Sequence, residues 1–401
     1  MKVRDGYKVT ELGLIPEEWT IKELRYIATI CYGKSQKEVE VKNGKYKILG
    51  TGGIIGSTND YLWDKPSVLI GRKGTIDKPQ YIAEPFWTVD TLFYTKINDD
   101  NNAKWLYYFM NSIDLKQYNE ATGVPSLSVA ILNKIKIPVP LLPEQQRIAE
   151  ILSSNDALIT KTDELIEKTK EIKAGLMQEL LTKGIGHTEF KDSELGRIPK
   201  GWEVKCLDQI AYVKGGKRVP KGYALLDEKT KYPYLRVSDF NMNSVNTVTL
   251  KYVSEDIYEK IKNYTISKND IYISIAGVYL GIVGIIPDFL DGVLLTENAA
   301  KVVLKGKSVE QKYLMYYLDS VFVKEQINFS KGVTGVPKLG LNKIEKLKLL
   351  IPQTRDEQNH IAEILSMVDN KIEALSKRKQ QLEEIKKGLM QDLLTGRVRV
   401  V

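Results

Sequence analysis

Two long stretches of the chain carry hydrophobic residues at a spacing of seven. From Glu357 to Thr395 the series is Ile361, Val368, Leu375, Leu382 and Leu389. From Glu144 to Thr182 there are two series: Ile151, Leu158, Leu165 and Ile172, and, one residue later, Leu152, Ile159 and Ile166. Neither stretch contains proline, and sustained heptads with charged neighbours are typical of coiled-coil helices. The pattern predicts two helices of about 39 residues, each roughly 58 Å long, that stop near Gly184 and Gly396.

The remaining sequence is rich in Gly, Pro, Tyr and short β-branched runs. SVLIGRKGTI (67–76) and IYISIAGVYLGIVGII (271–286) are bounded by turn-forming residues and are typical of strands and turns. NNAKWLYYFMNSI (101–113) and VEQKYLMYYLDSVF (309–322) are interpreted as embedded helices. The sequence therefore predicts two mixed α+β domains, each of about 140 to 160 residues.

An internal repeat covers most of the chain. Segments match in the same order in both halves: 7–34 with 190–217, 104–112 with 312–320, 122–127 with 334–339, 144–152 with 357–365, and 171–184 with 384–397. The offset between matched residues grows from 183 to 213, so the second repeat has about 30 additional residues in its middle. Because the ends of each repeat are similar and the middles differ, we expect one common frame that carries two different working surfaces.

Two equal helices in one chain can pair with each other, although such helices also form zippers between chains. One helix leads away from the first domain and the other returns, so internal pairing is antiparallel about a pseudo-two-fold axis, with a domain at each end. The predicted fold class is α+β with four segments: domain 1 (1–140), the first long helix (141–186), domain 2 (187–352), and the second long helix with the C-terminal tail (353–401). The same symmetry places the C-terminus beside Glu11–Trp19.

Composition favours a polyanionic partner. The formal net charge is +8 and the pI is about 9.0, which suits nucleic acid. The hydrophobic fraction of 43% and the charged fraction of 27% are ordinary for a globular protein. No apolar run approaches the roughly 18 residues of a membrane span, and the N-terminus lacks an apolar signal core. With only Cys31 and Cys206 as cysteines, a cytoplasmic location is expected.

Sequence signatures of catalysis are missing. The segment 28–35 ends in Gly33-Lys34-Ser35 like a P-loop, but it has Ala28 at the position of the first P-loop glycine. The chain also has no Pro-Pro pair of the kind found in adenine methyltransferase loops. His187 and His360 lack neighbours at metal-ligand spacing and are interpreted as surface residues. The sequence therefore predicts a binding protein with no metal site, and not an enzyme.

Three pairs of matched motifs carry a family resemblance. They are Glu-Leu-Gly-x-Ile-Pro-x-x-Trp at Glu11–Trp19 and Glu194–Trp202, Glu-Gln-x-x-Ile-Ala-Glu-Ile-Leu at 144–152 and 357–365, and Gly-Leu-Met-Gln-x-Leu-Leu-Thr at 175–182 and 388–395. Over nearly its whole length the chain resembles the specificity subunit of type I DNA restriction–modification systems. The resemblance implies a non-catalytic subunit without a bound cofactor. Each of its two target recognition domains would recognise one half of a split DNA sequence.

The resemblance also implies partners. The helices would act as a spacer and dock two methyltransferase (modification) subunits, which carry S-adenosylmethionine. Restriction subunits, which use ATP and Mg²⁺, would join the same complex. A repeated helix pair presents one docking surface twice, and we assign docking to Met177, Gln178, Met390 and Gln391. The alternative is that the two methionines fill the core and the two glutamines face the solvent.

Candidate DNA contacts are polar or basic residues beside glycines at matched loop positions, because such side chains reach phosphates and base edges. In the first repeat they are Lys34, Ser35, Gly52, Gly53, Arg72, Lys73, Thr75, Thr122 and Gly123. In the second repeat they are Lys217, Arg218, Arg236, Ser238, Asp239, Ala276, Val278, Lys331, Thr334 and Gly335. Arg72-Lys73 stands opposite Ile275-Ala276, so we expect different half-sites. The alternative is that the glycines only permit tight turns.

Two other functions stay open at the level of sequence. One is a coiled-coil scaffold that does not recognise DNA, which binding without sequence preference would favour. The other is a nuclease or methyltransferase fusion with an unrecognised site, which activity with S-adenosylmethionine or a divalent metal would favour.

Overall fold

The structure is a computed structural model that describes residues 4–241, 244–330 and 338–400. The chain forms two compact units. Unit 1 consists of Met1–Leu165 and Leu375–Val401, and unit 2 consists of Ile166–Ala374. Each unit therefore joins one repeated α+β segment to parts of both long helices. Within the described residues, no helix is both long and apolar enough to cross a membrane.

Unit 1 combines short strands and helices. They are β1 (Tyr7–Thr10), β2 (Gly13–Pro16), β3 (Thr20–Glu23), β4 (Ala28–Tyr32), β5 (Tyr46–Gly50), β6 (Gly53–Thr58), β7 (Ser67–Gly71), β8 (Gln80–Ile82), β9 (Phe86–Thr88), β10 (Leu92–Ile97), α1 (Ala103–Ser112), α2 (Val129–Leu132) and β11 (Lys136–Val139). The main sheet has the antiparallel order β4-β10-β7-β8. A second sheet has the order β6-β5-β9, in which β5 and β9 are parallel. In addition, β1 pairs with β2 and β3 with β11.

The long helix α3 (Leu142–Lys183) leads into unit 2. The elements that follow are β12 (Phe190–Ser193), β13 (Gly196–Pro199), β14 (Glu203–Cys206), α4 (Leu207–Ile210), β15 (Ala211–Gly215), β16 (Pro233–Leu235), β17 (Phe240–Asn241), β18 (Ser244–Val245), β19 (Lys251–Tyr252), α5 (Glu255–Ile261), β20 (Thr265–Ile266), β21 (Ile271–Ser274), β22 (Val283–Ile285), β23 (Val293–Leu295), β24 (Ala299–Leu304), α6 (Gln311–Asp319), α7 (Val321–Ser330), α8 (Leu341–Glu345), β25 (Lys348–Ile351) and the long helix α9 (Arg355–Leu393).

The strand order of unit 2 repeats that of unit 1. Its main sheet is β15-β24-β21-β22. Its second sheet, β19-β16-β23-β20, has four strands instead of three and again contains one parallel pair, β16 with β23. The additional residues of the second repeat fall largely between β15 and β21, where unit 2 has β17, β18, β19 and α5. Similar ends and different middles therefore correspond to one shared topology with a larger second half.

The two embedded helices predicted from sequence are confirmed as α1 and α6. Asn102 accepts hydrogen bonds from the backbone N–H groups of Lys104 and Trp105 at 3.0 and 2.9 Å, which caps α1. In unit 2, Glu310 does the same for Tyr313 at 2.6 Å. Both helices bury large aromatic side chains in the cores of their units, among them Trp105 and Tyr313. Each helix thereby fixes the position of a main sheet.

The long helices are present, but one of the heptad series predicted for α3 is wrong as the packing seam. In unit 1, α3 buries Leu152 and the polar residues Asn155 and Thr162, whereas Leu158 is 45% and Leu165 44% exposed. The two predicted series are one residue apart and occupy neighbouring stripes of the same helix. The stripe that contains Leu152 faces the core of unit 1, and Ile151 of the other series packs partly buried beside it.

Within unit 1, α3 and α9 pack antiparallel, as the sequence predicted for internal pairing. Two ion pairs show the direction because residue numbers rise along one helix and fall along the other: Asp156–Lys386 at 2.6 Å and Asp163–Lys379 at 2.7 Å. In unit 2, Lys173 of α3 pairs with Asp369 of α9 at 2.6 Å.

A buried tryptophan fastens the first motif of each repeat to the start of a long helix. Trp19 Nε1 donates to Glu144 Oε2 at 2.9 Å, and Trp202 Nε1 donates to Glu357 Oε2 at 3.1 Å. Both tryptophans are fully buried. We call each pair a Trp–Glu anchor. A buried carboxylate needs hydrogen-bond partners, so the anchors explain why these residues recur at matched positions.

The glutamine after each anchor glutamate fastens the loop that precedes α1 or α6. Gln145 Oε1 accepts from the backbone N–H of Asn102 at 2.8 Å, and Gln358 Oε1 accepts from that of Glu310 at 2.6 Å. Each glutamine also donates to a proline carbonyl just before its helix, at 3.0 and 3.1 Å. The repeated Glu-Gln pair is therefore a structural joint.

Each anchor glutamate also binds a cationic or imidazole side chain. Arg399 Nε donates to Glu144 Oε1 at 2.7 Å. In unit 2 the corresponding position is taken by His187, whose Nε2 lies 2.6 Å from Glu357 Oε1. The interpretation of His187 as a plain surface residue is therefore wrong, because the linker after α3 folds back onto the start of α9.

The C-terminal tail lies against the N-terminal segment within unit 1. Arg399 also pairs with Glu18 at 2.8 Å, and the Tyr7 hydroxyl donates to the carbonyl of Gly396 at 2.9 Å. These contacts confirm the predicted position of the C-terminus beside Glu11–Trp19.

Candidate nucleic-acid interface

In unit 1, the loop after β4 is held against the strand end of β9. The backbone N–H of Lys34 donates to the carbonyl of Thr88 at 2.8 Å, and Trp87 Nε1 donates to the carbonyl of Lys34 at 2.9 Å. A Cβ on Gly33 would lie 2.0 Å from the carbonyl oxygen of Val89, so only glycine permits this close approach. The side chains of Lys34 and Ser35 are left exposed.

The loop after β7 presents two cationic side chains beside the loop that contains Thr122 and Gly123. The Arg72 carbonyl accepts from Leu127 N–H at 2.9 Å, and Lys73 forms a β-bridge with Ser126. Arg72 Nη1 donates to the carbonyl of Asp90 at 3.1 Å, with the guanidinium 5.4 Å from the ring centre of Tyr32. Arg72 is half-buried, whereas Lys73 is exposed.

The turn between β5 and β6 lies beside the same loop. A Cβ on Gly74 would lie 3.8 Å from Thr51 Oγ1, and Gln80 donates to the carbonyl of Gly50 at 2.9 Å. Among the sequence candidates at these loops, Gly52, Thr122 and Gly123 are exposed, whereas Gly53 and Thr75 are half-buried. We define the loop cluster of unit 1 as residues 33–35, 51–53, 72–75 and 122–127.

In unit 2, the loop after β15 has the same attachment. Lys217 N–H donates to the carbonyl of Leu295 at 2.8 Å, and the Tyr234 hydroxyl donates to the carbonyl of Lys217, also at 2.8 Å. Burial raises the pKa of Tyr234 to about 12, so the hydroxyl keeps its proton. The side chains of Lys217 and Arg218 are exposed.

Arg218 has an acidic partner inside unit 2. Its Nε donates to Glu297 Oε1 at 2.6 Å, and the arginine side chain is 79% exposed. Burial alone would raise the pKa of Glu297, but hydrogen bonds from Arg218, its own backbone and Thr296 outweigh it, so this pKa lies below the ordinary value. A phosphate that binds Arg218 would have to compete with this carboxylate.

The sequence candidates after β16 differ in accessibility. Asp239 is fully buried and accepts hydrogen bonds from Arg236 Nε at 3.0 Å and Nη2 at 2.6 Å. This hydrogen bond raises the pKa of Arg236, whose Nη2 also donates to the carbonyl of Thr249 at 2.6 Å. Asp239 therefore lies behind the surface and holds Arg236, while Ser238 is exposed.

The loop after β21 occupies the position that the Arg72 loop has in unit 1. The carbonyl of Ile275 accepts from Leu339 N–H at 2.8 Å, and Ala276 forms a β-bridge with Lys338. Val278 is 95% exposed. We define the loop cluster of unit 2 as residues 216–218, 236–239 and 275–281. Lys331, Thr334 and Gly335 lie outside the described residues.

The four docking candidates divide by side-chain type. Met177 packs partly buried against the core of unit 2, and Met390 against that of unit 1. Gln178 and Gln391 are exposed. Met390 and Gln391 line a groove of about 860 Å³ in unit 1 whose walls also include Leu12, Leu14, Tyr118, Lys136 and Lys387.

Three residues that contact the loop clusters were missed from sequence. Tyr32 lies against the guanidinium of Arg72. An acidic residue follows the equivalent strands β9 and β23, as Asp90 and as Glu297. The matched Asp90–Glu297 position was available as a signal, since each stands two residues after a strand end. In the described part of the chain, no group of three or more His, Cys, Asp or Glu side chains is placed to hold a metal ion.

Comparisons with known proteins agree with this architecture. A family model described as type I restriction modification DNA specificity domain matches residues 16–172 and 199–384. The MjaVIII specificity subunit of Methanocaldococcus jannaschii is 28% identical across 96% of this chain and 94% of that protein. The EcoBI specificity subunit of Escherichia coli is 23% identical across 86% and 78%. The crystal structure of the type I restriction–modification S subunit from M. genitalium has a TM-score of 0.64 at 17% identity and covers 98% of both chains.

The solved structure supports the fold, and the family model covers both repeats and well over half of the sequence. The curated relatives match the chain over most of their own length as well. The chain therefore belongs to the type I restriction modification DNA specificity family, whose members supply sequence specificity and leave catalysis to partner subunits.

Proposed function

We propose that each unit recognises one half of a bipartite DNA sequence through its loop cluster. The observation that carries the proposal is a shared frame with different side chains at equivalent loops: Arg72 and Lys73 in unit 1 stand where unit 2 has Ile275 and Ala276. Cationic donors select guanine edges or phosphates, and apolar loops cannot do so. The two half-sites therefore differ in sequence.

The test uses the full chain with its methyltransferase partner in a host that lacks other methylation. Adenine methylation mapping defines the site for the parent protein and for the double variant R72A/K73A. We expect degenerate positions in one half-site only, with the other half-site and the gap unchanged. Lys134→Ala serves as a control because this exposed lysine lies outside the loop clusters. A change in both half-sites, or in neither, contradicts the assignment of one half-site to each unit.

We also propose where methyltransferase subunits dock. Leu158 and Leu165 form a stripe on the part of α3 that belongs to unit 1, with exposed fractions of 45% and 44%. Apolar side chains at such a surface gain free energy when a partner protein buries them. Met390 and Gln391 at the groove of unit 1 extend the candidate docking surface, and the repeat of these residues as Met177 and Gln178 supports two docked subunits.

Replacing Leu158 and Leu165 by Glu tests the docking surface. Both side chains are already exposed, so we expect an unchanged unfolding temperature and loss of methyltransferase from the purified complex. The control variant Lys170→Glu makes the same change in net charge at an exposed position that lies about 140° around α3 from Leu165. Co-purification of the methyltransferase with the double variant in undiminished yield would remove this stripe from the interface.

The proposed complex places every cofactor outside this chain. S-adenosylmethionine belongs to the methyltransferase subunits, and ATP and Mg²⁺ belong to the restriction subunits that join them. Calorimetric titration of S-adenosylmethionine into the isolated chain and into the complex should give heat only for the complex. The scaffold and catalytic-fusion alternatives are not favoured, because the matching family supplies DNA specificity.

A further inference from the structure

The loop Ile275–Gly281 of unit 2 is the counterpart of the Arg72 loop. In both loops the residue that follows the main-sheet strand accepts a backbone hydrogen bond, from Leu127 at 2.9 Å in unit 1 and from Leu339 at 2.8 Å in unit 2. The next residue forms the β-bridge, and the one after it is a glycine with positive φ, at +88° for Gly74 and +71° for Gly277. Val278 is therefore the positional equivalent of Thr75.

Backbone hydrogen bonds hold the loop on both sides of Val278. Gly281 N–H donates to the carbonyl of Ser274 at 2.9 Å, and Ser274 Oγ accepts from Ile282 N–H at 2.8 Å. Leu280 N–H closes the tight turn onto Gly277 at 3.2 Å. These bonds fix the backbone on both sides of the tip, so the Val278 side chain is held outward in one place and pays little ordering entropy on binding.

The side chains of the loop 275–281 have almost no hydrogen-bonding groups. Residues 275–281 are Ile, Ala, Gly, Val, Tyr, Leu and Gly, and the Tyr279 hydroxyl is the one side-chain donor or acceptor among them. Ile275 is buried, whereas Val278 is 95% exposed. The loop thus presents an isopropyl group where the other unit presents a threonine and two cations.

The apolar group that base edges display in the major groove is the thymine 5-methyl. We propose that Val278 contacts the 5-methyl group of one thymine in the half-site of unit 2 and selects A·T at that position. This inference rests on the proposed function. It predicts a specificity position that depends on a methyl group and not on a hydrogen bond.

The experiment uses the full chain in complex with its methyltransferase and duplexes that carry the mapped site. Each thymine of the second half-site, on either strand, is replaced singly by deoxyuridine, which removes only the 5-methyl group. Affinity is measured at one fixed salt concentration, because phosphate contacts make it salt-dependent. We expect one position at which the substitution weakens binding about fourfold, the loss that corresponds to one buried methyl group.

The variant Val278→Ala closes a double-mutant cycle. It should bind the parent duplex about fourfold more weakly and show no further loss with deoxyuridine at the sensitive position. The matched control Thr75→Ala alters the equivalent residue of unit 1 and should keep the full deoxyuridine effect. Since Val278 is exposed, the alanine variant keeps the fold.

The outcomes separate this inference from the proposed function. Absence of any sequence-specific site would defeat the proposed function itself. If the site is specific but no deoxyuridine substitution weakens binding, or the second half-site has no thymine on either strand, Val278 does not recognise a methyl group. Persistence of the full deoxyuridine effect in Val278→Ala would assign the methyl contact to another residue.

Discussion

The Trp–Glu anchors and the loop clusters differ in how far the two units agree. Trp19 with Glu144 and Trp202 with Glu357 are the same pair of atoms at 2.9 and 3.1 Å. At the loops, Arg72 corresponds to the buried Ile275. The repeated residues are those that bury and bond each other, and the side chains that differ lie in the loops beside the repeated glycines. Positions that are the same in both repeats therefore identify the frame, and loop positions that differ between the repeats identify the proposed recognition surface.

Removal of an anchor glutamate should have the largest effect. Glu144→Ala leaves Trp19 Nε1 and the permanently charged Arg399 without their buried partner, at a cost of about 3 kcal/mol in the free energy of unfolding. Glu357→Ala should cost less, because His187 carries no permanent charge. Hydrogen exchange during urea titration measures the two units separately. Glu150→Ala, at an exposed pair on α3, should change stability by no more than about 0.5 kcal/mol. Equal losses for the two glutamates would contradict the distinction.

The variant Arg72→Ala tests whether the loop cluster of unit 1 binds a base edge or a phosphate through Arg72. If the guanidinium binds a guanine edge, specificity should relax at one base pair at a cost of about 1–3 kcal/mol in binding. If it binds phosphate, affinity should fall evenly across sequences and the salt slope should fall by about one. Binding measured against a set of single-base variants at two salt concentrations decides between them. Unchanged affinity and unchanged slope would remove Arg72 from the interface.

The shared frame of strands, anchors and long helices could be predicted from sequence because its motifs occur in both halves of the chain. The heptads predicted the helix at Glu144–Thr182, and α3 spans Leu142–Lys183. The seam of α3 could not be chosen, because two adjacent heptad series compete. The choice depends on which stripe the core of unit 1 and α9 cover, and the buried Asn155 and Thr162 belong to it although they are polar.

The recognition surface was only partly predictable. Arg72 and Lys73 were candidates from sequence, and the structure shows them beside the loop that contains Thr122, because turn glycines and strand ends fix such loops. Asp239 was expected at the surface, yet it is fully buried. Its partner Arg236 lies only three residues earlier, and nothing in the sequence shows that a short 3₁₀ turn closes this pair. Side-chain direction within a loop depends on contacts that residue type alone does not encode.

Substitution of Arg399 or His187 tests the difference between the two Trp–Glu anchors without removing either glutamate. Arg399→Ala should lower the free energy of unfolding of unit 1 by about 1 kcal/mol, because a charged hydrogen bond to Glu144 is lost while that carboxylate stays buried. His187→Ala should have a smaller effect on unit 2, since Glu357 keeps bonds from Trp202 and from the backbone N–H of Ile185 at 3.2 Å. Arg397→Ala, at a 62% exposed side chain, is the control. A larger loss for His187→Ala would reverse the proposed order.

The smallest expected effect concerns Arg218 and the pH dependence of unit 2. The pKa of Glu297 is lowered in the folded state by hydrogen bonds from Arg218, its own backbone and Thr296, against the opposing effect of burial. A lowered carboxyl pKa contributes stability above the unfolded value, about 4.3, and the contribution is lost as the pH falls through the folded pKa. In Arg218→Ala, burial is opposed by fewer hydrogen bonds, so the folded pKa rises and this contribution shrinks.

The variant should therefore be less stable than the parent at pH 7, and the difference should shrink below about pH 4. Because Arg218 is largely exposed, solvent screening limits the difference at pH 7 to at most about 0.5 kcal/mol. Lys221→Ala removes a charge from the neighbouring exposed loop without removing a partner of Glu297 and should give a pH-independent offset. Urea unfolding of unit 2 from pH 3 to 7 measures both. A constant difference between Arg218→Ala and the parent across this range would show that the ion pair does not hold the carboxylate, and Arg218 would then be free to bind phosphate without competition.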